Sequence, residues 1–82
     1  MDEKLLQKAL DSPNNLRFTD MVKLAESFGF RLSRSRGSHH IFVHQDIREF
    51  LNLQEFKGRA KAYQVGQFLK LVEKYDLMQG EK

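Results

Sequence analysis

An α+β fold of order α-α-β-β-β-α, with helices packed on one face of a three-stranded antiparallel sheet, is what this 82-residue chain predicts. Three observations carry the expectation. Apolar residues recur at helical spacing in three places, apolar and polar residues alternate in runs between Phe30 and Leu53, and the connections between those runs are too short for parallel crossovers. One face of such a sheet is buried under the helices. The other stays open, and it is the natural binding surface.

The helices follow from spacing and punctuation. Leu5, Leu6, Ala9 and Leu10 give a short first helix over Asp2 to Leu10, ended by Asp11-Ser12-Pro13-Asn14-Asn15, because proline biases the residue before it away from helix and asparagine favours turns. Phe18, Met21, Val22, Ala25 and Phe28 predict a second helix over Thr19 to Phe28, with Thr19 as N-cap, Asp20 in the first turn and Gly29 at the C-terminal cap. The last helix is expected over Ala62 to Asp76, on a stripe of Ala62, Val65, Phe68, Leu69, Val72 and Tyr75. Gly66 inside it points to close packing or a contact there, and Met78 to Lys82 reads as a frayed tail.

The strands follow from alternation. Phe30 to Ser35 reads as a half-buried strand with Phe30 and Leu32 inward and Arg31 outward, and Arg36-Gly37-Ser38 as the turn. His39 to His44 is the second strand, Gln45 to Arg48 a polar connection and Glu49 to Leu53 the third strand. Gln54 to Lys61 lacks periodicity and reads as a basic loop.

Composition narrows the function classes. The chain has no cysteine, so neither a disulfide framework nor a thiolate metal site supports it, and no apolar run approaches the ~20 residues of a membrane span. Its charged N-terminus lacks the apolar core of a secretory signal, so a single soluble cytoplasmic domain is expected, with no membrane partner. The formal charge is +3, and its distribution says more than its size. Arg31, Arg34 and Arg36 lie in a stretch to His44 without an acid, and Lys57, Arg59 and Lys61 open a second one.

All three histidines lie on the second strand, beside those arginines. Imidazole holds or releases a proton near neutrality, so a histidine there can take the proton of a ribose 2′-hydroxyl. Arginines flanking it can neutralise phosphates and the charge that builds on a phosphorane, although a charged strand edge also discourages edge pairing. A metal site is disfavoured: His39 and His40 point to opposite faces, and His40 and His44 lie about 13 Å apart on one face, whereas ligands share a centre at roughly 2 Å. Alternation leaves open which histidine acts, since each set of alternate residues contains apolar ones. Ser38 reads as a turn residue rather than a nucleophile, and Phe50 and Tyr63 as core rather than base-stacking aromatics.

Gly37-Ser38-His39-His40-Ile41-Phe42, preceded by Gly29-Phe30-Arg31-Leu32 and joined to Tyr63-Gln64-Val65-Gly66-Gln67-Phe68-Leu69, resembles the HicA family of toxin ribonucleases. The likeness covers residues 18–77, with residues 1–15 an extra helix and turn; the long segment from Gln54 to Lys61 also departs from the family pattern. The resemblance implies a compact double-stranded-RNA-binding-like fold, metal- and cofactor-independent cleavage of mRNA, and neutralisation by a cognate HicB-type antitoxin. It puts catalysis on His39, with Gly37 and Ser38 shaping the turn that presents it. His40, Ser38 and Gly37 are candidate assistants, and Arg31, Arg34, Arg36, Lys57, Arg59 and Lys61 candidate RNA contacts. His44 and Tyr63 are further candidates for the general acid. A non-catalytic RNA-binding module of the same shape is the main alternative, and a basic surface for an acidic protein a third reading.

Overall fold

The computed structural model describes residues 1–78, and the expectation for the end of the tail, 79–82, lies outside them. The first helix, α1 (Glu3–Asp11), is capped by Asp2, whose Oδ1 accepts the Leu5 N–H at 3.1 Å. The Asp2 N–H donates to Ser27 Oγ at 3.0 Å, which ties the start of α1 to the end of the following helix, and Ala9 is buried between them and the 3-10 turn at Pro13–Asn15.

The second helix, α2 (Phe18–Ser27), starts one residue before the sequence expectation. Thr19 is not its N-cap; Arg17 holds that position without a side-chain hydrogen bond. The reason is tertiary: the Phe18 N–H, which a local cap leaves to solvent, donates to Gly58 O at 2.9 Å, and the Ala60 N–H donates to Leu16 O at 3.0 Å. The far end of α2 follows the sequence. Gly29 N–H donates to Glu26 O at 3.0 Å and Phe30 N–H to Ala25 O at 3.1 Å, the paired bonds of a glycine-terminated helix, with Gly29 at φ 96°.

The sheet is an antiparallel meander of β1 (Arg31–Arg36), β2 (His39–His44), β3 (Ile47–Phe56) and β4 (Arg59–Ala60), in that order. Three strands were expected, and the difference lies in two places. Ile47 is buried and pairs with His44, so β3 begins where the sequence suggested a polar connection. At its other end β3 runs on to Phe56 and turns back, so the expected basic loop is a hairpin. Lys57 (φ 52°) and Gly58 (φ 80°) both take positive φ, as a type I′ turn demands. In the β1–β2 turn Gly37 has φ 60° and Ser38 does not, the pattern of type II′.

α2 and the last helix, α3 (Ala62–Lys74), cover one face of the sheet. Phe30, Phe42, Leu51 and Leu53 meet Met21, Leu24, Phe28, Val65, Phe68 and Val72 there, with the Phe68 ring edge-on to Phe28 at 5.4 Å and near Phe30 at 5.9 Å. Leu71 and Gln64 are buried with the expected stripe of α3. Gln64 is 2% exposed because β4 ends at Ala60 and leaves the Gln54 N–H without a strand partner; Gln64 Oε1 accepts it at 2.7 Å. Two further expectations are corrected. Leu32 faces the helix side but is 48% exposed, since β1 is the edge strand and all its residues are exposed. A Cβ on Gly66 meets no neighbour within 4 Å, so no close packing requires glycine there.

Candidate functional site

Residues opposite each other in an antiparallel pair share a face, so the register divides the sheet. His40, Phe42 and His44 pair with Leu53, Leu51 and Ile47 and point toward the helices. His39 and Ile41 pair with Gln54 and Asn52 and point to the open face. On the other side of β2, Arg36 pairs with His39 and Arg34 with Ile41. Regular alternation puts Arg34 on the same face as Leu32; the bulge at Ser33, between Leu32 and Arg34, reverses this and brings Arg34 and Arg36 to the face of His39.

These side chains line an open cleft of about 530 Å³ formed by Arg34, Ser35, Arg36, His39 and Ile41. Neither the His39 ring nor the two guanidiniums make a hydrogen bond or ion pair among the described residues, so their donors and ring nitrogens remain available to a ligand. None of the outward positions of β1, β2 or residues 51–56 of β3 carries an acid. An anion meets an uncompensated positive field there.

The other two histidines are engaged elsewhere. His40 packs its ring on Phe18 at 4.8 Å and donates from Nδ1 to Ser38 O at 3.0 Å. For His44, the Asp46 N–H donates to Nδ1 at 3.1 Å, which leaves the proton on Nε2 to donate to Phe28 O at 3.0 Å. Both ring nitrogens of His44 hold the fold, and its ring packs edge-on to Phe30 at 5.1 Å. Among the described residues, no group of three or more His, Asp or Glu is arranged to hold a metal ion.

The basic residues fall into two places. Arg31 pairs with Val43, about 13 Å along β2 from His39, and does not line the cleft. Lys57, Arg59 and Lys61 gather on the β3–β4 hairpin around Phe56, with Lys57 Nζ 5.4 Å and Lys61 Nζ 5.7 Å from its ring centroid. Exposed contacts of this kind contribute about 0.5–1 kcal/mol. Arg59 pairs with Phe56 and reaches Asn15 Oδ1 at 3.4 Å. Phe56 lies two residues beyond Gln54 and is 57% exposed on the open face.

Sequence reasoning named different aromatics. Phe50 (64% exposed) and Tyr63 (60% exposed) are not core residues: Phe50 sits in the irregular β2–β3 pairing beside α3, and Tyr63 opens the outer side of α3, its hydroxyl accepting from Gln64 Nε2 at 3.3 Å. Phe56, Asn52 and Gln54 were missed as members of the open face. The signal was present, because the alternation of Leu51 and Leu53 continues outward through Asn52, Gln54 and Phe56 to a Lys-Gly turn. Asn52 Oδ1 is buried and finds no hydrogen-bond partner among the described residues. Away from this face, Lys74 and Tyr75 both donate to Glu49, and these bonds hold its carboxyl below the usual carboxylate range while raising Lys74 and Tyr75.

The arrangement offers one unengaged imidazole beside two guanidiniums of the neighbouring strand, set on an open basic face. Among known families, the model described as HicA toxin of bacterial toxin-antitoxin matches residues 18–73. No curated protein and no solved structure matches the chain.

Proposed function

The chain belongs to the HicA toxin family, whose members are toxins of bacterial toxin–antitoxin systems, and from that premise we propose that it is an endoribonuclease that cleaves mRNA with His39 and is neutralised by a HicB-type antitoxin. The observation that supports the reading is the convergence of His39, Arg34 and Arg36 on one open cleft, with the other histidines turned to the helix side. His39 accepts the proton of a ribose 2′-hydroxyl, and the 2′-oxygen forms a bond to the adjacent phosphorus. The bond from phosphorus to the 5′-oxygen breaks, the leaving oxygen takes a proton from water, and the hydroxide left behind takes the proton held by His39, so that a 2′,3′-cyclic phosphate, a 5′-hydroxyl and the neutral imidazole result. Arg34 and Arg36 neutralise the negative charge that accumulates on the phosphorane oxygens. Gly37 and Ser38 set the turn that starts β2 and so fix where His39 stands.

No step in this route needs a metal or an organic cofactor. The enzyme acts on RNA in the cytoplasm and spares DNA, which has no attacking hydroxyl. Among the described residues no helix is long and apolar enough to cross a membrane. A cognate antitoxin restrains the toxin, and in this reading it covers the cleft.

The test is expression and cutting with and without the imidazole. Wild type arrests growth, depletes transcripts and cleaves RNA in the presence of chelator, while His39→Ala loses about 10²–10⁴ of the cleavage rate. Equal cutting by both proteins removes His39 from the chemistry. RNA binding without cutting by the wild type turns the reading into that of a non-catalytic RNA-binding module.

A further inference from the structure

We infer that Phe56, with Lys57 and Lys61, forms a second subsite that stacks an unpaired base of a single-stranded RNA running across the sheet from the His39 cleft. The inference rests on the ribonuclease reading for its substrate class, and on geometry for its place. β3 carries Gln54 opposite His39 and Phe56 two residues further on the same face, so the Cα atoms of His39 and Phe56 lie roughly 8 Å apart, ~4.8 Å across the strands and ~6.6 Å along one. Adjacent nucleotides of one strand span that separation. Phe56 is exposed although nothing in the hairpin requires an aromatic there, since Lys57-Gly58 alone sets the turn.

The chemistry selects the ligand. An aromatic face flanked by cations meets both needs of a single strand, stacking for the base and neutralisation for the phosphates on either side. In a duplex the bases are already stacked inside, and a flat ring on an open sheet has nothing to engage. The lysines now lie against the Phe56 ring, at 5.4 and 5.7 Å. When a base takes the ring face, their flexible ammonium groups swing to the neighbouring phosphates. Arg59, on the same face, adds a third cation, and the run of outward residues without an acid connects this hairpin to Arg34 and Arg36. Every base has a π-face, so the subsite grips the strand with little preference among sequences.

The experiment uses the full chain carrying His39→Ala and a short fluorescein-labelled single-stranded RNA, followed by anisotropy across a salt series. Phe56→Ala is expected to weaken binding by roughly 5- to 150-fold with an unchanged salt slope, and Phe56→Trp to keep wild-type affinity. Lys57→Ala with Lys61→Ala lowers the slope by about 1.4 instead, two phosphates at ~0.7 each. A blunt RNA duplex shows no dependence on Phe56. Wild-type affinity in Phe56→Ala overturns the inference, as does an equal loss on duplex and single strand. So does a Phe56 requirement that appears only with an acidic polypeptide, polyglutamate being the probe. Cleavage separates the two readings: cutting by wild type with Phe56→Ala binding unchanged sinks only the subsite, and Phe56-dependent binding without cutting sinks only the nuclease.

Discussion

Replacing Gly29 by alanine tests how the helix end and the second strand are locked together. Gly29 has φ 96°, and a Cβ built there lies 2.8 Å from His44 Nε2, the atom that donates to Phe28 O at 3.0 Å. The left-handed backbone costs an L-residue about 1–2 kcal/mol. Displacing the ring breaks a hydrogen bond and leaves the Phe28 carbonyl and the ring nitrogen unpaired, a further ~1–3 kcal/mol. Together these amount to about 2–5 kcal/mol, against a total stability of roughly 4–12 kcal/mol for a chain of this length. Urea denaturation followed by circular dichroism should show the midpoint falling with the slope unchanged, and Tm dropping on the order of 10–30 °C. Gly37 supplies the control, because it has φ 60° and nothing within 4 Å, so alanine there bears the conformational cost alone. The decisive comparison is the double variant. With His44→Ala already in place the clash is gone, and Gly29→Ala should cost only about 1–2 kcal/mol. An equal penalty in both backgrounds would refute the steric argument.

Three further outcomes follow from the packing. Gly66→Ala should stabilise by about 1 kcal/mol, read as a higher urea midpoint, since helix propensity improves and the added methyl meets no neighbour within 4 Å. Gln64→Leu should destabilise by about 1–3 kcal/mol in the same assay, because it strips the Gln54 N–H of its acceptor inside the fold; no loss would mean that water replaces the side chain. Hydrogen bonds from Lys74 and Tyr75 lower the Glu49 carboxyl in the folded state below its ordinary 4.5, so its contribution is present above that value and fades as pH falls through the lowered one. Lys74 and Tyr75 are raised, so their share fades only as pH climbs through their folded values. Thermal melts of wild type and Glu49→Gln should differ near neutral pH and converge in acid, modestly and less at high salt because the pair is exposed. A difference that grows on acidification contradicts the sign.

Local pattern made most elements legible. The paired bonds at Gly29, the glycine turn at Gly37 and the limits of β2 are all short-range features, and each is where the sequence indicates. The failures share a different cause. Thr19 is a good N-cap residue, yet the hairpin carbonyl of Gly58 took that role from forty residues away by satisfying Phe18. Phe56 was missed although β3 alternates as far as it, because its pairing partner β4 is only two residues long and shows no period of its own, so Gln54 to Lys61 reads as a loop. Phe50 looked like core for its hydrophobicity, but the irregular pairing between Phe42 and His44 moved it out to solvent.

Alternation along the chain determined that neighbouring histidines lie on opposite faces, and the Gly-Ser-His-His turn determined that one of them starts a strand. Which face the helices cover was decided only in three dimensions, since both faces of β2 carry apolar residues and a period of two has no preferred side. The bulge at Ser33 then settled where the arginines stand. One extra residue inverts every side chain after it, so guanidiniums that simple alternation assigns to the face of Leu32 stand beside His39 instead.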